Sequence, residues 1–341
     1  MEKSKFAVIG TGFWAYYQLK GWQELGNAVP IAFYNKTISK AKALAEKFEV
    51  SNVYDDIDLL LDTHAHELDF VDIITNVETH YLFTEKAAAR SLDVICQKPM
   101  GPDFSTCQKM LDLSQKAGIK FLIHENFRWQ APLRKLKEIL LSGVIGKPFR
   151  ARVSFVSAFP VFKNQPFLAE LEQFILTDVG SHIFDVCRFL FGECQSLYCL
   201  TARINPGIKG EDVATVLMNM KNGMSCIAEM SYASILEKEA FPETLVTVEG
   251  GRGSVVLGHD FVIKTTNQEG TTEELGAPVT YDWADPAYSV VHASIVDCNR
   301  NLLAHLRGEA EAETIGVDNF ETIKLIYSAY NSAREGQVVF L

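Results

Sequence analysis

Asp178 and His182 stand four residues apart in the run Asp178-Val179-Gly180-Ser181-His182. On a helix that spacing puts a carboxylate and an imidazole on one face, with Asp185 one step further along. A carboxylate can orient an imidazole or stabilise its protonated form, and histidine is the side chain best suited to take a hydroxyl proton near neutral pH. Lys98 is a second candidate. It follows a short apolar strand and precedes Pro99, which favours extended or turn backbone and places the lysine at the carboxyl end of a sheet, where doubly wound folds bind ligands. An ammonium there can donate to a hydroxyl and stabilise a developing alkoxide. Asp178 and His182 also have the spacing of two metal ligands, but no motif supplies a third. His64-Ala65-His66 falls in what reads as a polar connection, so no metal is assigned.

Near the N-terminus the strand Phe6-Ala7-Val8-Ile9 runs into Gly10-Thr11-Gly12-Phe13-Trp14-Ala15, which fits the G-x-G-x-x-G/A dinucleotide fingerprint. Gly10 would turn the strand sharply, Gly12 would let backbone approach a pyrophosphate, and Ala15 would let the helix pack closely. The helix N-terminus would face the anion, with Thr11, Phe13 and Trp14 beside it. At the end of the second strand the residue expected to meet the adenosine ribose is Asn35, followed by Lys36 and Thr37. An acidic residue would accept the ribose 2′-OH and repel a 2′-phosphate. A neutral one beside a cation tolerates the phosphate, so NADP(H) is favoured, with Lys36 as its partner, and NAD(H) stays open.

Four patterns in fixed order, the glycine turn, Thr75-Asn76-Val77-Glu78-Thr79-His80, Gln97-Lys98-Pro99 and Asp178 to His182, together resemble the Gfo/Idh/MocA oxidoreductase family. The resemblance runs nearly end to end, including Glu125-Asn126-Phe127-Arg128 and Ser142-Gly143-Val144-Ile145-Gly146-Lys147. It implies Lys98 as the catalytic lysine, His182 as general base and Asp178 as orienter of base or substrate. Thr75, Asn76, His80, Gln97, Lys98 itself, Asn126 and Arg128 are expected near the cofactor. The family's Glu-Lys-Pro is Gln97-Lys98-Pro99 here, and Val77 and Glu78 depart from its Thr-Pro-Asn-x-x-His while His80 keeps its place. The implied reaction moves hydride between nicotinamide and a hydroxyl-bearing carbon of a sugar, polyol or related ring. Two other readings are a glycoside-cleaving enzyme that oxidises its substrate transiently and a dinucleotide-sensing regulator without turnover.

These residues need elements to hold them. Up to about residue 125, short apolar runs at 5–9, 29–34, 70–75, 93–96 and 119–123 alternate with amphipathic segments at 37–48, 79–91 and 103–117, the pattern of a parallel sheet. Asp103 or Ser105 could cap the last helix and Gly118 end it, and Pro132 near the start and Gly143 at the end frame another at 131–142. Beyond Lys147-Pro148 come β-branched and aromatic runs at 149–157, 196–204, 212–220, 224–232, 244–249 and 253–257, interrupted by an apolar helix at 178–191 and closed by helices at 288–307 and 318–334. The expected class is α/β: a Rossmann domain over 1–127 and an α+β domain with a large, mainly antiparallel open sheet over 128–341. Loops around 125–130, 157–170 and 232–242 should set specificity. Phe127, Trp129, Phe159 and Phe162 read individually as packing residues.

A net charge of −11 and the absence of a basic stripe argue against nucleic acid. No apolar run is long enough to span a membrane, and the first strand follows Met1-Glu2-Lys3-Ser4 directly, so the expected location is the cytoplasm. Seven cysteines without a C-x-x-C pair read as reduced, mostly buried thiols. The expected partners are a sugar or polyol and, from the family resemblance, further copies of the chain, a homodimer or homotetramer through the C-terminal sheet.

Overall fold

Strand β1 (Ser4–Ile9) buries Phe6, Ala7, Val8 and Ile9 completely, which requires a sheet covered on both faces. A computed structural model describes residues 3–341 and supplies that sheet. The chain continues through α1 (Phe13–Leu25), β2 (Ala28–Tyr34), α2 (Ile38–Phe48), β3 (Asn52–Tyr54), α3 (Ile57–His64) and β4 (Phe70–Ile73). It then runs through α4 (His80–Ala88), β5 (Asp93–Gln97), α5 (Phe104–Ala117) and β6 (Phe121–His124). The strands pair in parallel in the order β3-β2-β1-β4-β5-β6, the doubly wound arrangement whose order reverses beside β1 and β4. At α5 the cap is Asp103, whose side chain accepts from Thr106 N at 2.8 Å, and Gly118 ends the helix at φ +69°.

The second sheet follows α6 (Ala131–Ser142) and has nine strands among the described residues. They are β7 (Pro148–Val156), β8 (Cys194–Ala202), β9 (Val213–Met220), β10 (Ser225–Ser231), β11 (Leu245–Gly250), β12 (Gly253–Leu257), β13 (Val262–Asn267), β14 (Gly270–Leu275) and β15 (Val339–Phe340). Their order is β14-β13-β12-β11-β7-β10-β9-β8-β15, antiparallel except for β7 beside β10. Short helices α7 (Val161–Asn164) and α8 (Ile175–Asp178) lead into α9 (Gly180–Phe191), which packs on β7 and β10. The inward face alternates cleanly along β9, with Ala214, Val216, Met218 and Met220 buried. Two long helices, α10 (Ser289–Leu306) and α11 (Gly316–Glu335), close the chain.

Two compact units emerge. The first comprises residues through Asn126 with Asp282–Ala284 and Ile295–Ile323, and the second holds Phe127–Tyr281, Asp285–Ser294 and Lys324–Leu341. Sequence alone puts everything after residue 127 in one domain, yet 295–323 groups with the first unit. The reason is specific bonding: Gln18 and His124 both meet Asn299 Oδ1, at 3.1 and 3.0 Å, and Ile123 N donates to Thr314 O at 2.9 Å.

Several short elements escape the sequence pattern. β3 has only three residues, α3 is one short turn-capped helix whose Asp56 side chain accepts from Asp58 N and Leu59 N, and the β13–β14 hairpin has a fully exposed second strand without apolar alternation. The expected helix at 178–191 is two helices meeting at Val179. All seven cysteines are unbridged and buried. Among the described residues no helix is long and apolar enough to cross a membrane.

Candidate active site

In the first unit the site is made largely of backbone. Gly10 adopts φ +103°, and a Cβ there would lie 2.5 Å from Ile74 O and 2.7 Å from Thr75 Cγ2, so only glycine allows β1 to turn against the end of β4. Gly12 is the reverse case. It precedes α1 with φ −77°, no side chain caps the helix, and a Cβ there would meet nothing within 4 Å. The uncapped N–H groups of α1 therefore border open space, the cradle a dinucleotide pyrophosphate requires. Thr11, Gly12, Phe13 and Lys40 line an adjoining groove of about 410 Å³, and Phe13 is exposed. Trp14 is half-buried.

Asn35 braces this turn. Its Nδ2 donates to Thr11 Oγ1 at 2.7 Å and its Oδ1 accepts from Thr37 N at 2.9 Å. Lys36 is exposed. The amide is thus engaged by protein, and the geometry lends no support to a phosphate site made by Asn35 and Lys36.

Past β4, Thr79 Oγ1 donates to Thr75 Oγ1 and to Asn76 O, each at 2.8 Å, and Asn76 is exposed. His80 is buried with three carbonyl oxygens around its ring: Thr75 O at 3.1 Å from Nε2, and Pro99 O and Met100 O at 3.1 and 3.3 Å from Nδ1. Burial pulls its pKa down and those carbonyls oppose the shift. Here His80 fastens the loop after β4 to the loop after β5, a structural contact that spacing alone did not reveal. Gln97 ends β5 buried, and its Nε2 has no hydrogen-bond partner among the described residues. An orphaned buried donor at the carboxyl end of a parallel strand suits a ligand oxygen. Lys98 follows, half-buried, joined to Pro99 by a cis peptide. Asn126 is buried just beyond β6.

The second unit builds its part from side chains. Arg128 and Asp185 form a buried two-point ion pair, Nε to Oδ2 at 2.7 Å and Nη2 to Oδ1 at 2.5 Å. Arg128 therefore anchors the turn Phe127–Trp129 to α9. The anchoring sets Phe127 face to face with His182, ring centroids 3.7 Å apart and planes within 8°. Asp178 is half-buried at the end of α8. The main chain links Asp178 to His182 through the junction at Val179: His182 N donates to Val179 O at 3.0 Å, and Ser181 Oγ donates to the Asp178 carbonyl at 2.8 Å. Burial drives the Tyr232 phenol well above its ordinary pKa, with the Asp178 charge adding to the shift. Trp129 is covered by the Arg134 guanidinium, 3.4 Å from the ring centroid.

The three loops expected to govern specificity share an aromatic cluster. Phe127 lies 6.0 Å from Phe155, Phe155 lies 5.9 Å from Phe241, and Phe241 stacks on Phe159 at 3.9 Å. His64, read from sequence as lying in a polar connection, instead ends α3 buried against Tyr54 and Glu67, at 2.9 and 2.7 Å. Among the described residues no group of three or more His, Cys, Asp or Glu side chains could hold a metal ion.

Comparison with known proteins decides the ancestry. Residues 4–125 match the model of the oxidoreductase family with an NAD-binding Rossmann fold, and residues 133–256 match the C-terminal domain of the GFO/IDH/MocA group. The chain belongs to the Gfo/Idh/MocA family of oxidoreductases. Within that family it is 38% identical over 341 residues to a D-apiose dehydrogenase of Paraburkholderia graminis, covering 100% of this chain and 90% of that protein. A second D-apiose dehydrogenase, from Rhizobium rhizogenes, is 38% identical over 99% of this chain and 98% of its own. An oxidoreductase from Agrobacterium radiobacter, solved with NAD+, L-tartaric acid and magnesium, superposes with a TM-score of 0.96 at 37% identity, covering 99% of this chain and 98% of the other.

Proposed function

We propose that this family member is an NAD(H)-dependent dehydrogenase of a small sugar, with D-apiose the first substrate to try. The observation that carries the reading is end-to-end similarity to two D-apiose dehydrogenases in a chain that keeps Lys98, Asp178 and His182. Gly10, Gly12 and the first turn of α1 would hold the pyrophosphate, Asn35 the adenosine ribose, and Gln97 would donate to a cofactor oxygen. Bound nicotinamide supplies the hydride acceptor for oxidation and the donor for reduction.

The chain's own residues manage the proton and the oxygen. His182 takes the hydroxyl proton at a ring nitrogen, its plane fixed by Phe127. Asp178 stabilises the imidazolium that results, and Lys98 donates to the oxygen as it becomes a carbonyl. The aromatic cluster that continues from Phe127 through Phe155 to Phe241 suits the C–H face of a neutral sugar better than a charged group.

NAD(H) is proposed over NADP(H) because the similar Agrobacterium protein holds NAD+. A homodimer or homotetramer through the open sheet face is also proposed. On that face Leu200, Leu217 and Val256 are exposed beside the Arg152–Glu229 ion pair, 2.6 Å apart. Leu217→Glu should dissociate the assembly in light scattering; an unchanged mass would place the interface elsewhere.

Steady-state oxidation of D-apiose with NAD+ by the wild type, Lys98→Ala and His182→Ala tests the assignment. Both variants should bind NADH normally and lose about 10²–10⁴ in kcat. Full turnover by either removes that residue from the mechanism.

A further inference from the structure

Helix α8 has four residues and ends at Asp178, too short to hold its own geometry. Its first turn is held from outside by Glu211. Phe174 N donates to the two carboxylate oxygens of Glu211 at 3.2 and 3.3 Å, Leu176 N donates to Oε1 at 3.3 Å, and Ile175 N donates to the Glu211 main-chain oxygen at 3.2 Å. From α11, Tyr330 Oη donates to the same Oε1 at 2.7 Å. Burial and the neighbouring carboxylate push the Tyr330 phenol far above its ordinary pKa, so it remains a donor.

The residues on either side of Glu211 show how it is held in place. At Gly210 a Cβ would stand 2.7 Å from Leu171 O and 3.1 Å from Glu172 O, so the chain passes against the segment before α8 at a distance no side chain permits. Asp212 accepts from Ile204 N at 2.7 Å and Asn205 N at 2.9 Å, and its main-chain oxygen accepts from Tyr232 N at 3.0 Å. Gly210, Glu211 and Asp212 therefore tie together the helix that ends in Asp178 and the strand end bearing Tyr232, whose neutral phenol is held protonated in part by the Asp178 charge.

We infer that Glu211, braced by Tyr330, is a positioning residue that sets the Asp178 carboxylate for work with His182. The inference rests on the reading of Asp178 as part of the catalytic machinery. It assigns Glu211 no contact with substrate: the carboxylate acts through the N–H groups of α8, and a shift of about 1 Å at Asp178 is enough to cost about 10²-fold in rate.

The test is a double-mutant cycle on the full chain with D-apiose and NAD+. Glu211→Ala should lower kcat by about 10- to 100-fold with NADH affinity unchanged. Glu211→Gln, which keeps an acceptor oxygen, should restore most of the turnover. Tyr330→Phe should show a smaller loss of the same kind. In an Asp178→Asn background, Glu211→Ala and Tyr330→Phe should cost nothing further, because the group they position is gone. Losses that persist undiminished in that background, or full turnover by Glu211→Ala, overturn the inference. Full turnover by Asp178→Asn alone instead defeats the reading of Asp178 on which it stands. Should Glu211→Ala not fold, Tyr330→Phe with and without Asp178→Asn decides the matter, full turnover by Tyr330→Phe counting against it.

Discussion

The two units make their functional sites from different materials. In the first, position comes from backbone: Gly10 at φ +103°, an uncapped α1, and a parallel sheet whose order reverses beside it. In the second it comes from side chains far apart in sequence, Arg128 on Asp185, Phe127 on His182, Glu211 on α8. A backbone-built site should tolerate side-chain exchange around it, while a side-chain-built site should fail when one member is removed.

Arg128→Leu strikes the second kind hardest. Removing one partner of a buried ion pair leaves the Asp185 carboxylate uncompensated, an expected loss of about 3–5 kcal/mol in denaturant unfolding. Arg128→Leu combined with Asp185→Leu should recover much of it. If Arg128→Leu alone leaves stability untouched, the contrast between the units is wrong.

Asp72 offers the matching experiment in the first unit. It is wholly buried in β4, accepts from Trp22 Nε1 at 2.8 Å and Gln18 Nε2 at 3.2 Å, and burial raises its pKa to about 7. The unfolded chain ionises near pH 4 while the folded one stays protonated, so stability from this group is full below about pH 4 and declines until about pH 7. Asp72→Asn should remove that decline, gaining up to roughly 4 kcal/mol over the wild type above pH 7. Parallel melting curves at pH 5 and pH 8 that show no difference in slope between the two proteins would refute a neutral Asp72.

Gly12→Ala separates fold from ligand. Its φ of −77° suits any residue, and the added methyl meets no protein atom within 4 Å, so the melting temperature should hold or rise. NADH affinity should fall by about tenfold or more, some 1.4 kcal/mol, because the methyl occupies the cofactor's space. Unchanged affinity would move the pyrophosphate elsewhere. The smallest effect is expected of Asn35→Asp, which should leave NADH binding within a few tenths of a kcal/mol and weaken NADPH further, as calorimetric titration of both cofactors would reveal.

The same contrast explains what the sequence disclosed. The strand-glycine turn and the caps at Asp103 and Gly118 were legible because each is a local constraint confined to a few residues. The alternation in β9 was legible because one face of the sheet is buried. The Arg128–Asp185 pair was hidden, since a partner 57 residues away leaves no periodic trace. The break of the 178–191 helix at Val179 was equally hidden, as every residue there keeps right-handed helical backbone. Glu211 gave no signal beyond Gly210 beside it, and the polar, exposed β14 offered no pattern at all.

The most direct measurement of the central claim is the stoichiometry of nicotinamide reduction when the purified chain meets D-apiose and NAD+, with the sugar product identified alongside. One NADH formed per sugar oxidised, with NADP+ a poorer substitute, is the predicted result. Tight NADH binding without turnover of any sugar or polyol, or a sugar product altered with no net NADH, would contradict it.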